Sequence, residues 1–287
     1  MNISIVVVTH NRFEYTKKTI ERLLEDPDEE FLLYLWDNAS KDETPEYLKD
    51  EVKDPRLVEV VLSKENVGQV GAMNYVWTKA ETELIGKLDN DCLVTPGWTS
   101  KLAQAHKDIA NLGALACWHF YPNDFDYELA RHKIQSIGEH QIFRHPWVGG
   151  TGFLMKRKTF LEQGPWEQGN NVGTTYYFLK MARAGYINGW YYPLIYQEHI
   201  DDPVSECSIL KNDAAIKKMY DITYTLRSHN IRTMEERMEW RRIVLNNLLC
   251  DPWEAKYYVG WRAKLRKLSA KIKRLPPWGK ADVLNFR

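Results

Sequence analysis

Apolar residues run unbroken from Ile3 to Val8, which predicts a parallel strand covered on both faces. Beyond it, Phe13, Thr16, Ile20, Leu23 and Leu24 recur at helical spacing. Asn11 is the expected N-cap, with Glu14 three residues on. The alternation then repeats. Phe31 to Trp36 predicts a second strand, Ser40 and Glu43 a capping pair before a short helix around Pro45 to Leu48, and Leu57 to Leu62 a third strand. Gly68 to Ala80 reads as a glycine-opened helix, and Leu84 to Leu88 as a fourth strand running directly into Asp89-Asn90-Asp91.

Strands alternating with helices imply an α/β sheet with right-handed crossovers. Ligands of such sheets bind beyond the carboxyl ends of the strands. Thr9-His10-Asn11, Asp37-Asn38 and Asp89-Asn90-Asp91 all stand at such ends. One such cluster fits a simple turn, because Asn and Asp favour turns. Three in succession point to a shared site.

From about Leu210 the pattern changes to helix alone. Thr233 and Glu236 form a capping box before Met234 to Leu249, and Asp251-Pro252-Trp253-Glu254 reads as a second helix start. Residues 256–280 carry Lys256, Arg262, Lys264, Arg266, Lys267, Lys271, Lys273, Arg274 and Lys280 without one acid, interleaved with Tyr257, Tyr258, Trp261, Leu265, Leu268 and Ile272. That is the composition of a helix lying on an anionic membrane surface, and also that of a solvated helix or a nucleic-acid contact.

Composition narrows the field. A chain of 287 residues, 44% hydrophobic, buries a sizeable core, and its formal net charge of zero gives no argument for a nucleic-acid partner. Cys92, Cys117, Cys207 and Cys250 are widely spaced, so neither a zinc site nor a disulfide framework is expected, and a reducing compartment fits. The N-terminal segment lacks the charged and long apolar parts of a signal peptide, and no stretch approaches the ~20 apolar residues of a membrane span. The expected location is cytoplasmic, peripheral to the inner face of the cell membrane if the basic tail docks there.

An Asp-x-Asp pair at a strand end suits a diphosphate bridged by a hard divalent cation, Mn²⁺ or Mg²⁺, which prefers carboxylate oxygens. Residues two apart on an extended segment project to one side, about 6.5–7 Å apart. Asp89 and Asp91 have that spacing.

Several stretches together resemble family 2 glycosyltransferases and their close GT-A relatives. They are Ser4 to Arg12, Trp36 to Ser40 with Asp42 and Thr44, Asn66-Val67-Gly68 with Asn74, and Lys87 to Asp91. A second block is similar: Gly149 to Met155, Phe160 to Trp166, Ala184-Gly185-Tyr186, Pro193 and Glu198-His199. The resemblance covers about residues 3 to 200. It implies a GT-A (Rossmann-like) α/β fold: a mixed, mostly parallel sheet flanked by helices, with a C-terminal helical extension. Residues 1–205 would be the catalytic domain, with a nucleotide-sugar half (1–100) and an acceptor half (101–205). Residues 206–287 would be the extension with its basic aromatic tail.

The resemblance also implies roles. Thr9, His10, Asn11 and Arg12 would line the nucleotide pocket, and Asp37 would accept a hydrogen bond from the base, uracil in many members. Asn66, Gly68 and Asn74 would shape the pocket around ribose and diphosphate, with Asn90 beside them. Asp89 would touch ribose or sugar and share the metal site with Asp91, and His199 would match the late metal-ligand histidine. Gly150 and Thr151 fall in the acceptor-side loop, and Trp147 and Trp166 flank it, placed to stack on a sugar or to fill the core. The implied partners are a nucleotide-sugar, UDP-linked, and a glycan or lipid-linked acceptor.

One departure stands out. Inverting members carry an acidic pair just before the helix that ends in Ala-Gly-Tyr, and one of those acids deprotonates the acceptor. Here that place holds Gly173-Thr174, and Asn170 to Thr175 contains no carboxylate. The base then comes from Glu167, Glu198, Asp201 or Asp202, or the reaction retains configuration without one, or the protein is a weakly catalytic sugar binder. A nucleotidyltransferase is the other enzymatic reading, although the first strand is followed by no glycine-rich phosphate loop.

Overall fold

The computed structural model describes residues 2–167, 173–202, 205–209, 214, 242–248 and 252–272. The first strand, β1 (Ile3–Thr9), is buried along its whole length, as its unbroken apolar run requires. It leads through α1 (Phe13–Leu24) to β2 (Leu32–Asp37), a short helix α2 (Thr44–Glu46) that continues as a π turn over Tyr47–Glu51, β3 (Leu57–Leu62), α3 (Gly68–Lys79) and β4 (Leu84–Asp89). Then follow β5 (Cys92–Val94), α4 (Trp98–Asp108), β6 (Leu112–Ala116), a one-turn helix α5 (Tyr127–Ala130), β7 (Ile134–Ile137) and β8 (His140–Arg144). The chain continues as β9 (Phe153–Lys156), α6 (Arg157–Gln163), α7 (Gly173–Arg183), β10 (Ile187–Tyr192) and β11 (Gln197–His199), and the described part closes with α8 (Gly260–Ile272).

Nine strands form one sheet in the order β3-β2-β1-β4-β9-β6-β10-β8-β7. The pairs β1–β2, β1–β4, β2–β3 and β6–β10 are parallel, while β9 runs antiparallel to both β4 and β6, and β8 antiparallel to β10. This is the mixed, mostly parallel sheet that was expected. Alternation along the strands splits the core. Ile5, Val7, Leu33, Leu35 and Leu88 face α1 and α4, whereas Val6, Val8, Tyr34, Trp36 and Ile85 face α3, α6 and α7. A separate ladder, β5 with β11, pairs His199 with Cys92 and folds the end of the second half over the end of the first.

Two expected helix caps are otherwise employed. Asn11 does not cap α1: it and Arg12 both take left-handed backbone (φ 54° and 68°), and its side chain accepts from the Lys41 amide at 2.8 Å. Ser40 does not cap α2 either, because its hydroxyl is given to Asp37. Asp42 performs both tasks, accepting from Phe13 N at 2.9 Å and from Thr44 N at 3.1 Å. The expected helix start at Pro252 yields a 3-10 turn, Ala255–Tyr258, and α8 begins only at Gly260, where φ is +60°. Of the stretch Met234 to Leu249, residues 242–248 are described. Leu245 packs in the same cluster as Trp118 and Phe143, and its carbonyl accepts from the buried Lys133 ammonium at 2.6 Å. The rest of that stretch, with Thr233 and Glu236, lies outside the described residues.

Candidate active site

The carboxyl ends of β1, β2 and β4 are neighbours in the sheet, so the three polar clusters converge. Most of their side chains are bound to one another. Asp37 is 1% exposed and accepts from Thr9 Oγ1 at 3.2 Å, from Ser40 N at 2.9 Å and from the Ser40 hydroxyl. These contacts make its carboxylate a tie between β1 and β2. Asn38 accepts from Trp36 Nε1 and Val67 N, and its carbonyl meets His10 Nδ1 at 2.8 Å. Asn66 accepts from Gly68 N at 2.9 Å and so shapes the turn into α3. Asn74 clamps the Trp166 backbone with two hydrogen bonds, 2.8 and 2.9 Å.

The two aspartates after β4 have different partners. Asp89 is paired with Lys87, whose ammonium is 1% exposed and also donates to Gln69 Oε1 at 2.9 Å and to the Gly150 carbonyl at 3.0 Å. Thr151 Oγ1 accepts from Asp89 N at 2.8 Å and from Gln197 Nε2 at 3.1 Å. Gly150 and Thr151 therefore hold the Asp89 turn in place. Asn90 turns the other way, donating to Thr16 Oγ1 on α1 at 2.9 Å.

Asp91 gathers the site. One of its oxygens accepts from Arg12 Nη1 at 2.9 Å; the other takes the Cys92 thiol at 3.3 Å and lies 3.7 Å from His199 Nδ1. The second arm of the Arg12 guanidinium reaches Asp201 at 2.8 Å, and the cation stacks on Tyr15 at 4.1 Å. Burial pushes the Asp91 carboxyl up, Asp89 and Asp201 add to this, and His199 and Arg12 oppose it. Burial also drives the Cys92 thiol well up, with Asp91 and Asp89 pushing the same way.

The ligand atoms of Asp91, Cys92 and His199 all lie within 4.8 Å of one another, which makes them the cluster able to hold a metal ion among the described residues. A carboxylate and an imidazole together suit a divalent metal cation. Asp91 and His199 are thus brought together as expected, while Asp89 stays with Lys87 outside the cluster. Cys92 enters it although its spacing to the other cysteines carried no metal signal. What joins it to His199 is a strand pairing across 107 residues.

The candidate bases separate. Asp201 is committed to Arg12. Glu198 and the buried Asp202 line a cleft of about 440 Å³ with His119, Tyr121, Tyr196 and His199, whereas Glu167 is exposed next to Trp166. Of the proposed acceptor stackers, Trp166 is a core residue, 3% exposed and sandwiched between Phe153 and Tyr177. Trp147 is half-buried with its edge against His145. The aromatic wall of the cleft comes instead from residues 119–121, which lie outside the stretches that resemble the family. Gly149 makes room for it, since a Cβ there would lie 2.2 Å from the His119 ring.

The chain matches the family model described as Glycosyl transferase family 2 over residues 4–173. No curated protein matches it. Among solved structures it is similar to the mannosyltransferase PcManGT from Pyrobaculum calidifontis in complex with GDP-Man and Mn2+. That likeness has a TM-score of 0.55 and 15% sequence identity, over 96% of this chain and 81% of that one, and at such identity it speaks for the fold.

Proposed function

The chain belongs to glycosyl transferase family 2, with the GT-A fold and a glycosyltransferase activity, and from that premise we propose that it moves a sugar from a nucleoside-diphosphate donor held beside Asp91. The observation that supports this most is the meeting of Asp91 with His199. They come from opposite halves of the chain and meet at the carboxyl edge of the parallel strands, next to an open cleft.

Asp91 and His199 would hold a divalent cation, which supplies positive charge to the diphosphate leaving group. The chain's own contribution is the guanidinium of Arg12. Burial works against its charge, but Asp91 and Asp201 more than offset that and keep it protonated at every working pH. It adds a fixed cation at the same place. Lys87 keeps the Asp89 turn rigid, so the position of Asp91 is set before any ligand arrives.

The acceptor would enter the 440 Å³ cleft, where rings at His119, Tyr121 and Tyr196 suit a sugar face and Glu198 and Asp202 supply carboxylates. Either one would take the proton of the acceptor hydroxyl, a role open because Gly173-Thr174 occupies the family's usual acidic position. The uridine preference is carried by the family resemblance alone, since the Asp37 carboxylate is already engaged, and the structural relative holds GDP-Man.

Thermal shift with UDP- and GDP-sugars, with and without Mn²⁺, followed by donor turnover, tests this reading. A metal-dependent stabilisation by one donor class, abolished in Asp91→Asn, is expected. Equal stabilisation of the wild type and Asp91→Asn would remove Asp91 from the site.

A further inference from the structure

Helix α8 turns a row of large apolar side chains toward water. Trp261 is 63% exposed, and Leu265 and Leu268 are each 54% exposed. They sit at positions i, i+4 and i+7, so they lie one above another on a single helix face. Arg262 and Lys264 flank that face, Arg266 and Lys267 lie further round, and no acid occurs between Ala255 and Ile272. The helix is fixed to the body at its start. The turn Ala255–Tyr258 packs on α7, Tyr258 donates to the Pro252 carbonyl at 2.9 Å, and the Arg144 guanidinium lies 5.9 Å from the Trp253 ring.

Three large side chains kept in water at helical spacing mark a surface that something covers. Its chemistry selects among the candidates. A second copy of this chain would set the same cations against one another across a two-fold interface, where like charges repel. A nucleic acid would satisfy the cations and leave Leu265 and Leu268 in water. An anionic bilayer meets both needs: headgroup phosphates for the arginines and lysines, the acyl boundary for the leucines, and an interfacial position for the indole.

We propose that α8 lies in the surface of a membrane containing anionic lipid, with Trp261, Leu265 and Leu268 toward the acyl chains and Arg262 and Lys264 at the phosphates. This stands apart from the assignment of the sugar-transfer site, since none of these residues reaches the Asp91 cluster.

Flotation of the purified full chain with lipid vesicles tests it. Binding is expected to vesicles of phosphatidylcholine mixed with phosphatidylglycerol, and not to phosphatidylcholine alone. Each cation near the surface contributes about fivefold to partition, so Arg262→Gln with Lys264→Gln should weaken binding roughly 25-fold. Leu265→Ser with Leu268→Ser should abolish it, while leaving the melting temperature and donor-induced stabilisation unchanged because both leucines are exposed. In Trp261→Phe, quenching of tryptophan fluorescence by brominated lipid should largely disappear. Absence of wild-type binding to the anionic vesicles would overturn the proposal. So would equal binding by the leucine variant, or a wild-type dimer that the leucine variant turns into a monomer.

Discussion

Arg12 donates to Asp91 at 2.9 Å although 79 residues separate them, and the same guanidinium holds Asp201 from the far end of the fold. It does so from a left-handed backbone position, φ 68°, which is uncommon for a side-chain-bearing residue and concentrates at functional sites. Arg12→Gln removes the fixed cation and leaves two carboxylates facing each other. Loss of a charged hydrogen-bonding partner is worth about 1.5–3 kcal/mol, so affinity for a nucleoside diphosphate should fall roughly tenfold or more. Titration calorimetry with Mn²⁺ present checks this, and an unchanged dissociation constant would make Arg12 a purely structural clasp.

Lys87 gives a second prediction, about stability. Its ammonium is almost fully enclosed and its ion-pair partner Asp89 is only partly exposed. Removing one member of a buried pair strands the other, at about 3–5 kcal/mol when both are fully buried, and somewhat less here. Lys87→Met should therefore lower the free energy of unfolding by about 2–4 kcal/mol. Adding Asp89→Asn should restore part of the loss, because the stranded charge is gone. Urea denaturation of the two single variants and the double variant measures the coupling.

The two aspartates could be found from sequence because they follow an apolar strand, and the family resemblance supplied His199, but the ion pairs of Asp91 with Arg12 and of Asp89 with Lys87 could not. β1 to β4 were legible because each is an apolar run of strand length broken by polar turns. Positions such as Asn11 and Ser40 were misjudged because local capping rules weigh only near neighbours. In the folded chain Asp42 is the better placed acceptor, and the first N–H groups of both helices converge on it. The metal-ligand cluster depends on β5 pairing with β11, and the aromatic wall on residues 119–121 meeting 196–202. Neither contact leaves a local periodicity. Trp166 shows the converse: an aromatic residue near a presumed site is more often core, and its stacking on Phe153 and Tyr177 could only be seen in three dimensions.

Gly152 links that second half to Asp89. Its φ is +59°, and a Cβ there would lie 1.6 Å from Gln197 Oε1. Gln197 is 2% exposed and holds Thr151, which in turn accepts from Asp89 N. Gly152→Ala should therefore displace Gln197, loosen the Asp89 turn and cost about 2–4 kcal/mol, part of it from the left-handed backbone. Combining it with Gln197→Ala removes the collision and leaves the backbone cost. The double variant should unfold at a higher temperature than Gly152→Ala alone, and calorimetry decides it.

His106 sets a pH dependence that owes nothing to the site. It is fully buried on α4, its Nε2 lies 3.0 Å from the Leu154 carbonyl, and Nδ1 has no hydrogen-bond partner among the described residues. The geometry fixes the neutral ring with its proton on Nε2. Burial brings its pKa down to about 3, with the hydrogen bond to Leu154 opposing and Lys156 adding slightly. In the unfolded chain the same ring titrates near ~6.5. Between those values the unfolded state binds a proton that the folded state refuses, so stability falls as pH falls, by about 1.4 kcal/mol per pH unit from this residue alone. Above the unfolded value its contribution is fully present. Urea unfolding at neutral pH and near pH ~5 should then differ by about 2 kcal/mol from His106. His106→Gln keeps a donor for the Leu154 carbonyl but cannot titrate, so its profile over that interval should be correspondingly flatter. If the variant loses stability as steeply as the wild type, the acid sensitivity belongs to other groups, and the folded protein tolerates a proton on His106.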